Sequence, residues 1–235
     1  MFGSRIKRRL KRVEENTNRK LNELIWAEVF KCAVQDSEWF VRRSLCPGRW
    51  AMGFPALYVL FRILDNFRPV SILEFGLGES SKMTMQYKAG NPDADLTVIE
   101  HDESWKELFC AKYGMAELVK VVPLEITADE PPHIGYKDLL PVIEGRKYDC
   151  ILVDGPWGCE KDSRDHILDI IEAGLLAEEF VILFDDVHRQ GEKDTVDKMY
   201  VVLDKKGIMF EKHVYSGEKD TLLVCSPRHK YLCSL

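Results

Sequence analysis

Short apolar runs alternate with amphipathic stretches over most of the chain. Apolar runs without polar alternation are typical of strands that are buried on both faces of a parallel sheet. Such strands are predicted at 70–75, 96–100, 119–124, 149–153 and 180–184, with helices between them at 80–88, 103–113, 163–175 and 192–206. Because strands alternate with helices, we expect an α/β fold with helices on both faces of a mostly parallel sheet.

The two ends of the chain have different patterns. One or two helices are predicted within 5–35, a further helix at 55–66, and terminal strands near 208–215 and 220–225. We expect an N-terminal helical cap (1–66) on a sheet-containing domain (67–235), the two forming one compact unit. The terminal strands, separated by Gly217, predict an antiparallel hairpin. Residues 125–147, rich in proline and glycine, predict an irregular excursion over the ligand edge.

The first predicted strand ends in a glycine turn. The nine residues that end at Gly78 read Val-Ser-Ile-Leu-Glu-Phe-Gly-Leu-Gly, and Gly76 and Gly78 allow the backbone to turn sharply and approach a ligand. Glu100 ends the next strand, twenty-two residues after Gly78. A carboxylate at this spacing can accept hydrogen bonds from both ribose hydroxyls, so the pattern predicts a nucleoside site.

The residues around the turn favour a cationic nucleoside. Glu74 and Glu79 flank the turn and would repel a pyrophosphate, and Ser81 stands where dinucleotide folds usually have a third glycine. S-adenosylmethionine, which carries an ammonium and a sulfonium but no phosphate, suits this turn better. A turn without a ligand and a nicotinamide oxidoreductase are the alternatives. We expect the cofactor to be bound by Glu74, Gly76, Gly78, Ser80, Glu100, His101 and Asp154.

Acidic residues follow two later strands. Asp154 comes directly after strand 149–153, and Asp185 and Asp186 come directly after strand 180–184. If these strands are neighbours, the three carboxylates converge and repel one another unless a cation joins them. Their hard oxygen atoms suit a divalent ion such as Mg²⁺ or Mn²⁺. The alternative is that Asp154 begins a turn and one of the other two caps a helix.

Other polar and aromatic residues near these strand ends are candidates for catalysis. A divalent ion can lower the pKa of an acceptor hydroxyl and aim its oxygen at a methyl group. His188 is the candidate general base or an outer partner of the metal, or else a helix cap. Arg164 has a guanidinium that can hold a carboxylate or phosphate of the acceptor, or be solvated. Trp50 and Trp157 can stack on a sugar ring, or else lie in the core. The candidate catalytic residues are therefore Asp154, His188 and Arg164.

Three resemblances to known families support this chemistry. The glycine turn has the form Glu-x-Gly-x-Gly and resembles the first motif of the class I methyltransferases. The segments Ile-Leu-Glu-Phe-Gly-Leu-Gly-Glu-Ser-Ser, Tyr-Asp-Cys-Ile-Leu-Val-Asp-Gly-Pro-Trp-Gly and Val-Ile-Leu-Phe-Asp-Asp-Val-His-Arg resemble polysaccharide-biosynthesis methyltransferases typified by plant glucuronoxylan 4-O-methyltransferase. That likeness covers about residues 70–190, and it departs at Asp185 and Asp186, where the family has His-Asp.

The spacing of the aspartates is also similar to that of catechol-type, metal-dependent O-methyltransferases. In those enzymes an Asp after the fourth strand and an Asp-Asn pair after the fifth hold magnesium. The resemblances imply a Rossmann-like class I methyltransferase sheet and methyl transfer to a hydroxyl of a sugar, glycan or small molecule. A methyltransferase acting on a phosphorus-containing or sugar-phosphate acceptor, and a non-catalytic scaffold in a biosynthetic complex, are the alternative functions.

Charge is distributed unevenly along the chain. Residues 1–20 contain eight Lys or Arg and two Glu, a net charge of +6, so the remainder carries −12 of the total of −6. The helical pattern of this segment favours a solvated helix end, and the alternative is contact with an anionic membrane surface, nucleic acid or the acidic face of a partner. Because the acidic body has no basic patch, we do not expect a nucleic-acid substrate.

Composition gives further expectations about the environment of the protein. No apolar run reaches the roughly 18 residues of a membrane-spanning helix, and no signal peptide is recognised, so a cytoplasmic protein is expected. The seven cysteines include no Cys-x-x-Cys pair, which argues against disulfides and a zinc site. Cys150 is expected to lie in the core.

Overall fold

The computed structural model describes residues 2–48 and 50–235. A seven-stranded sheet and a separate two-stranded sheet contain all the strands of this part of the chain. In chain order the strands are β1 (Ser71–Phe75), β2 (Asp95–Glu100), β3 (Val119–Val121), β4 (Leu124–Ile126), β5 (Ile134–Tyr136), β6 (Tyr148–Val153), β7 (Leu176–Phe184), β8 (Glu211–Ser216) and β9 (Asp220–Cys225).

Seven α-helices accompany these strands within the described residues. They are α1 (Phe2–Ala33), α2 (Phe54–Arg62), α3 (Glu79–Gly90), α4 (Glu103–Tyr113), α5 (Leu140–Ile143), α6 (His166–Glu172) and α7 (Gln190–Lys205). α2 continues into a π-helical turn, Ile63–Phe67, and short 3₁₀ segments lie at Ala116–Leu118 and Pro227–Ser234. None of the described helices is long and apolar enough to cross a membrane.

The main sheet has the strand order β3-β2-β1-β6-β7-β9-β8. Strands β3, β2, β1, β6 and β7 are parallel to one another, whereas β9 pairs antiparallel with both β7 and β8. The predicted α/β sheet, mostly parallel with an antiparallel C-terminal hairpin, is therefore confirmed. Because the chain order reverses between β1 and β6, the carboxyl ends of these two strands flank a crevice in which ligands can bind.

Hydrophobic layers cover both faces of the sheet. On one face Ile72 and Val98 share a core with Phe30, Phe40 and Leu57 from the N-terminal segment. The opposite layer is built from residues of β1, β6 and β7 together with α5, α6 and α7. Cys150 is fully buried, as expected. The domain boundary after residue 66 stays a prediction.

Three local differences from the sequence-based expectations have physical causes. Predicted strand 119–124 is divided into β3 and β4, since Pro123 lies between them and cannot donate a ladder hydrogen bond. Predicted helix 163–175 is shorter, because Asp162 and Arg164 adopt positive φ angles of 50° and 61° just before α6. The excursion 125–147 was expected to be irregular, which is wrong in part, since β4, β5 and α5 lie largely within it.

Candidate active site

A cavity of about 1570 Å³ lies where β1, β2, β6 and β7 end. Loops that follow these four strands form its wall, together with residues from 46–51 and 131–136. Proline and aromatic residues of the excursion therefore lie at the ligand edge, as the sequence predicted. A typical small-molecule site encloses roughly 300–1,000 Å³, so the cavity is larger than a single small ligand requires.

The glycine turn between β1 and α3 forms part of the cavity wall. Gly76 has a φ of +95°, and a Cβ there would lie 3.1 Å from the Asp154 carbonyl oxygen, so only glycine fits. A Cβ on Gly78 would instead meet nothing within 4 Å. Gly76 thus allows β1 and β6 to approach closely, while Gly78 leaves open space for a ligand beside the backbone.

Glu100 lies at the end of β2 and lines the same cavity. Its Oε2 accepts a hydrogen bond of 3.0 Å from the Leu77 N–H, and its Oε1 accepts bonds from the N–H groups of His101 and Asp102. His101 Nδ1 lies 2.8 Å from the same Oε1. These bonds fix the carboxylate and connect it to the glycine turn. Glu100 and His101 are therefore held in position on the cavity wall, where the sequence placed a ribose contact.

Glu74 and Ser80 do not line the cavity. Glu74 is fully buried, and its carboxylate accepts hydrogen bonds of 2.6–2.8 Å from the hydroxyls of Ser80, Ser81 and Thr84. Burial raises the pKa of Glu74, although these hydroxyls partly oppose the rise. Ser81 Oγ also accepts a hydrogen bond from the Gly78 N–H. Glu74 and Ser80 therefore join the start of α3 to β1, and direct cofactor contact by either stays a prediction.

The three predicted aspartates come together at the ends of β6 and β7. One carboxylate oxygen of each, from Asp154, Asp185 and Asp186, lies within 4.8 Å of the other two. Asp154 and Asp186 line the cavity. Asp185 is fully buried and accepts a hydrogen bond of 2.5 Å from the Thr221 hydroxyl on β9. The convergence predicted from the strand order is therefore observed, but the three carboxylates differ in their access to the cavity.

Arg164 lies among these aspartates rather than on the surface. Its side chain is only 4% exposed. Its Nη2 donates a hydrogen bond of 3.0 Å to Asp186 Oδ2, its Nη1 donates one of 3.2 Å to the Asp185 carbonyl oxygen, and its Nε donates to the Pro156 carbonyl oxygen. Nη1 also lies 3.5 Å from Asp154 Oδ1. The guanidinium that was expected to hold an acceptor anion is thus engaged by the protein's own oxygen atoms.

Lys219, in the turn between β8 and β9, supplies a second cation to the cluster. Its Nζ lies 3.4 Å from Asp185 Oδ2 and 3.3 Å from Asp186 Oδ1. Arg189 Nη1 lies 3.0 Å from Asp186 Oδ2 and 3.7 Å from Glu192 Oε1. Protein cations therefore relieve the carboxylate repulsion that suggested a metal ion from the sequence.

Burial and neighbouring charges give the carboxyl groups different pKa values. Burial, and next the charge of Asp185, raise the pKa of Asp154 well above its usual range. Burial also disfavours the charged form of Asp186, but Arg164 and the other nearby cations lower its pKa below the usual value. Asp154 Oδ1 is buried and has no hydrogen-bond partner among the described residues. Asp154 is thus the member of the cluster best suited to hold a proton or to receive a new ligand.

His188 lies on the loop after β7 but does not line the cavity. Its Nδ1 accepts a hydrogen bond of 3.4 Å from the Asp220 N–H. Burial, opposed in part by the charge of Asp186, lowers its pKa. His188 therefore lies near Asp186 but outside the cavity lining, and its role as general base stays a prediction.

Aromatic side chains border the cavity on two sides. Trp50 is 89% exposed, and Trp157 is 56% exposed with its ring edge-on to His101 at a centroid distance of 4.7 Å. Trp105 Nε1 donates a hydrogen bond of 2.7 Å to the Leu77 carbonyl oxygen. Trp105 and Tyr136 line the cavity and were missed from the sequence. Only the position of Tyr136 in the excursion over the ligand edge pointed to it.

No protein-family model matches the sequence, and no curated protein matches it either. Solved structures resemble it in fold. One is a protein from Staphylococcus aureus assigned as a caffeoyl-CoA O-methyltransferase, with a TM-score of 0.54 at 16% identity over 88% of this chain and 100% of that one.

Two further structures resemble this chain. The O-methyltransferase TomG from Streptomyces achromogenes, which is involved in tomaymycin synthesis and was solved with S-adenosylmethionine, has a TM-score of 0.51 at 17% identity over 87% of this chain and 98% of that one. The O-methyltransferase from Bacillus cereus, solved with S-adenosylhomocysteine, has a TM-score of 0.50 at 14% identity over 88% and 91%. The chain therefore has a fold like that of class I O-methyltransferases. The resemblance to the glucuronoxylan family stays a prediction.

Proposed function

We propose that the protein is an S-adenosylmethionine-dependent O-methyltransferase that acts on a hydroxyl of a sugar, glycan or small molecule. The observation that carries this proposal is the position of Gly78 and Glu100 on one cavity wall. Gly78 leaves open space beside the glycine turn, and the fixed carboxylate of Glu100 stands at the spacing that a ribose requires.

The charges of the cavity favour a cationic cofactor over a dinucleotide. Glu79, Glu100, Asp154 and Asp186 all line the cavity and outnumber the two arginines of its lining, Arg164 and Arg189. A sulfonium gains favourable Coulomb energy among carboxylates, whereas a pyrophosphate is repelled by them. In this proposal Gly76, Gly78, Glu100 and His101 hold the nucleoside. The hydrogen bond between Ser80 and Glu74 holds the start of α3 against β1 and so fixes the turn. Asp154 is proposed to lie toward the reacting end of the cofactor.

The three aspartates fit a divalent cation such as Mg²⁺ or Mn²⁺ by their donor chemistry. Their ligand oxygens are hard and lie close together. Within the described residues, Asp154 Oδ1 has no hydrogen-bond partner, although Arg164 Nη1 lies 3.5 Å from it. Such an ion, when bound, supplies Lewis-acid activation of the acceptor hydroxyl. Arg164 and Lys219 contact the same carboxylates, so an added cation has to compete with them. We therefore propose weak, assisting metal binding.

The acceptor is proposed to lie between the aspartates and the exposed aromatic side chains. Trp157 and Trp50 offer flat apolar faces at the rim, which suit a sugar or an aromatic ring. Acceptors that carry phosphate or carboxylate have less support, since Arg164 is engaged by Asp186 and Asp154. A purely scaffolding role has no need for an open cavity with converging carboxylates at the ligand edge of the sheet.

Transfer of a labelled methyl group tests this function. The protein is incubated with methyl-labelled S-adenosylmethionine and a panel of catechols, hexoses and uronic acids, with Mg²⁺ or with chelator. We expect label in a product that survives mild alkali, because a methyl ether is stable there and a carboxyl ester is not. Alkali-labile label would contradict O-methylation of a hydroxyl. Cofactor binding without transfer to any acceptor would favour the scaffold.

A further inference from the structure

Helix α1 consists of two parts with different surroundings. The C-terminal part packs on the body of the protein, whereas every residue from 6 to 18 is exposed. These residues form more than three helical turns with no protein surface against any side of them. A helix of this length without packing contacts is only marginally stable in water. Contact with a partner would therefore stabilise the projecting part.

The packed side of α1 is defined by specific contacts. Arg19 pairs with Asp220 at 2.8 Å, and Glu23 accepts hydrogen bonds from the N–H groups of Phe54 and Glu218. Trp26 Nε1 donates to the Ser216 carbonyl oxygen, and Phe30 is buried. Successive contacts are three or four residues apart, so they share one side of the helix. These contacts fix the direction in which the projecting part leaves the body.

An apolar stripe lies on the opposite side of the same helix. It consists of Ile6, Leu10, Val13, Leu21 and Leu24, whose side chains are between 49% and 64% exposed. Their spacing places them on one side of the helix, roughly opposite the packed side at 3.6 residues per turn. The stripe extends ~27 Å along the helix axis at 1.5 Å per residue. Thr17 separates Val13 from Leu21 on this side of the helix, so the stripe has two apolar parts. Exposed apolar surface of this kind marks an interaction site.

Basic side chains flank the apolar stripe. Lys7 and Arg9 lie beside the stripe at 3.6 residues per turn, whereas Arg8, Lys11 and Arg12 lie on the far side of the helix; all five are exposed, and no acidic residue lies among them. The first twenty residues carry +6, whereas the rest of the chain carries −12. An apolar stripe bordered by basic side chains has the chemistry of a helix that lies in the interface of an anionic bilayer.

We propose that α1 docks the protein on an anionic membrane surface. The apolar stripe enters the boundary between headgroups and acyl chains, and the basic side chains contact the lipid phosphates. The acidic body is repelled by the same surface, so contact is confined to the projecting helix. This proposal is independent of the proposed methyl transfer.

Charge argues against a second copy of the chain as the partner on the stripe. In a parallel helix pair the basic segment 7–12 would lie against its own copy. In an antiparallel pair it would lie against the region of Arg19 and Lys20, which is also basic. Like charges at such distances are destabilising. An anionic lipid surface, in contrast, complements every basic side chain on the flanks of the stripe.

Co-sedimentation of the full chain with lipid vesicles tests the proposal. One set of vesicles is phosphatidylcholine alone, and the other contains about 30% phosphatidylglycerol, an anionic lipid. We expect binding to the anionic vesicles, at least ~10-fold weaker binding to the neutral ones, and release when salt rises from about 0.1 M to about 0.5 M. No binding to anionic vesicles, or equal binding to both kinds, would overturn the proposal.

Two triple variants separate the stripe from general surface hydrophobicity. Ile6→Gln, Leu10→Gln and Val13→Gln together should weaken binding by about tenfold or more. The matched control replaces three exposed apolar side chains elsewhere by glutamine and should leave binding unchanged: Leu108 (69% exposed), Val201 (50%) and Met209 (76%). Equal loss in both variants would overturn the assignment to the stripe.

Two further measurements keep the test decisive. If the stripe variant unfolds, the variant Lys7→Gln and Arg9→Gln, with the stripe intact, should still weaken binding by about fivefold for each charge removed. Sedimentation equilibrium without lipid reports whether a second copy covers the stripe. A stable dimer that the stripe variant converts to monomer would contradict membrane docking.

Discussion

The ammonium group of Lys219 lies 3.4 Å from Asp185 Oδ2, although the two residues are on separate segments that meet only because β9 pairs with β7. Asp185 is fully buried and Lys219 is 9% exposed. Burial disfavours the charged form of Lys219, but Asp185 and the other nearby carboxylates raise its pKa. The hairpin thus delivers a cation to the base of the acidic cluster.

Replacing Lys219 by methionine should therefore strengthen the binding of divalent ions. Lys219→Met removes a competing cation and leaves a buried carboxylate unpaired, which typically costs about 3–5 kcal/mol. We expect a lower melting temperature in chelator, recovery of stability with Mn²⁺, and at least tenfold tighter Mn²⁺ binding by calorimetry, about 1.4 kcal/mol. Lys212→Met, on the same hairpin but above the Tyr200 ring, is the control. Unchanged Mn²⁺ affinity in Lys219→Met would show that the lysine does not compete.

The ribose contact assigned to Glu100 can be tested by cofactor affinity. Glu100→Ala removes the carboxylate on the cavity wall, and we expect S-adenosylhomocysteine binding to weaken by about 1–3 kcal/mol. Glu103→Ala removes a neighbouring carboxylate that does not line the cavity and should bind normally. Wild-type affinity in Glu100→Ala would remove the ribose assignment.

The burial of His166 predicts that the free energy of unfolding depends on pH. It is buried against Phe75 at a ring-centroid distance of 4.1 Å, and burial, together with the charge of Arg164, lowers its pKa to about 3. The unfolded chain binds a proton near pH 6.5, whereas the folded protein does not. Folding stability is therefore lost as pH falls below that value, by ~2 kcal/mol between about pH 7.5 and about pH 5.

Denaturant unfolding at the two pH values measures this effect. His166→Phe, which keeps an aromatic ring in the pocket, should lose less stability on acidification than the wild type by that amount. His213→Phe, at an exposed position on β8, should behave like the wild type. The same acid dependence in all three proteins would show that His166 is not the responsible group.

Much of the fold follows from local pattern. The buried strands β1, β2, β6 and β7 have continuous apolar runs. A polar residue or a glycine stands at the end of each strand or directly after it. The strand order places those ends together, which is why Gly78, Glu100 and Asp154 were found in one cavity.

The missed features depend on contacts between residues distant in sequence. From the sequence alone, Lys219 is an ordinary turn residue. Its contact with Asp185 exists because β9 pairs with β7. Arg164 reads as an exposed helix residue, but its positive φ turns the chain before α6 and its side chain is buried. Glu74 accepts hydrogen bonds from hydroxyls of α3 that the sequence did not predict, and its contact with the cofactor stays a prediction. Periodicity carries no information about any of these contacts.

Calorimetric titration with S-adenosylhomocysteine, on the wild type and on Gly78→Leu, tests the central claim most directly. Gly78 has an extended φ of −168° and open space at its Cβ position, so a side chain there enters the cavity and leaves the core packing intact. We predict one-to-one binding with a Kd in the range of about 1–10 μM for the wild type. The variant should unfold at the wild-type temperature and bind at least tenfold more weakly. No binding by the wild type, or tighter binding of the nicotinamide dinucleotide, would contradict the account.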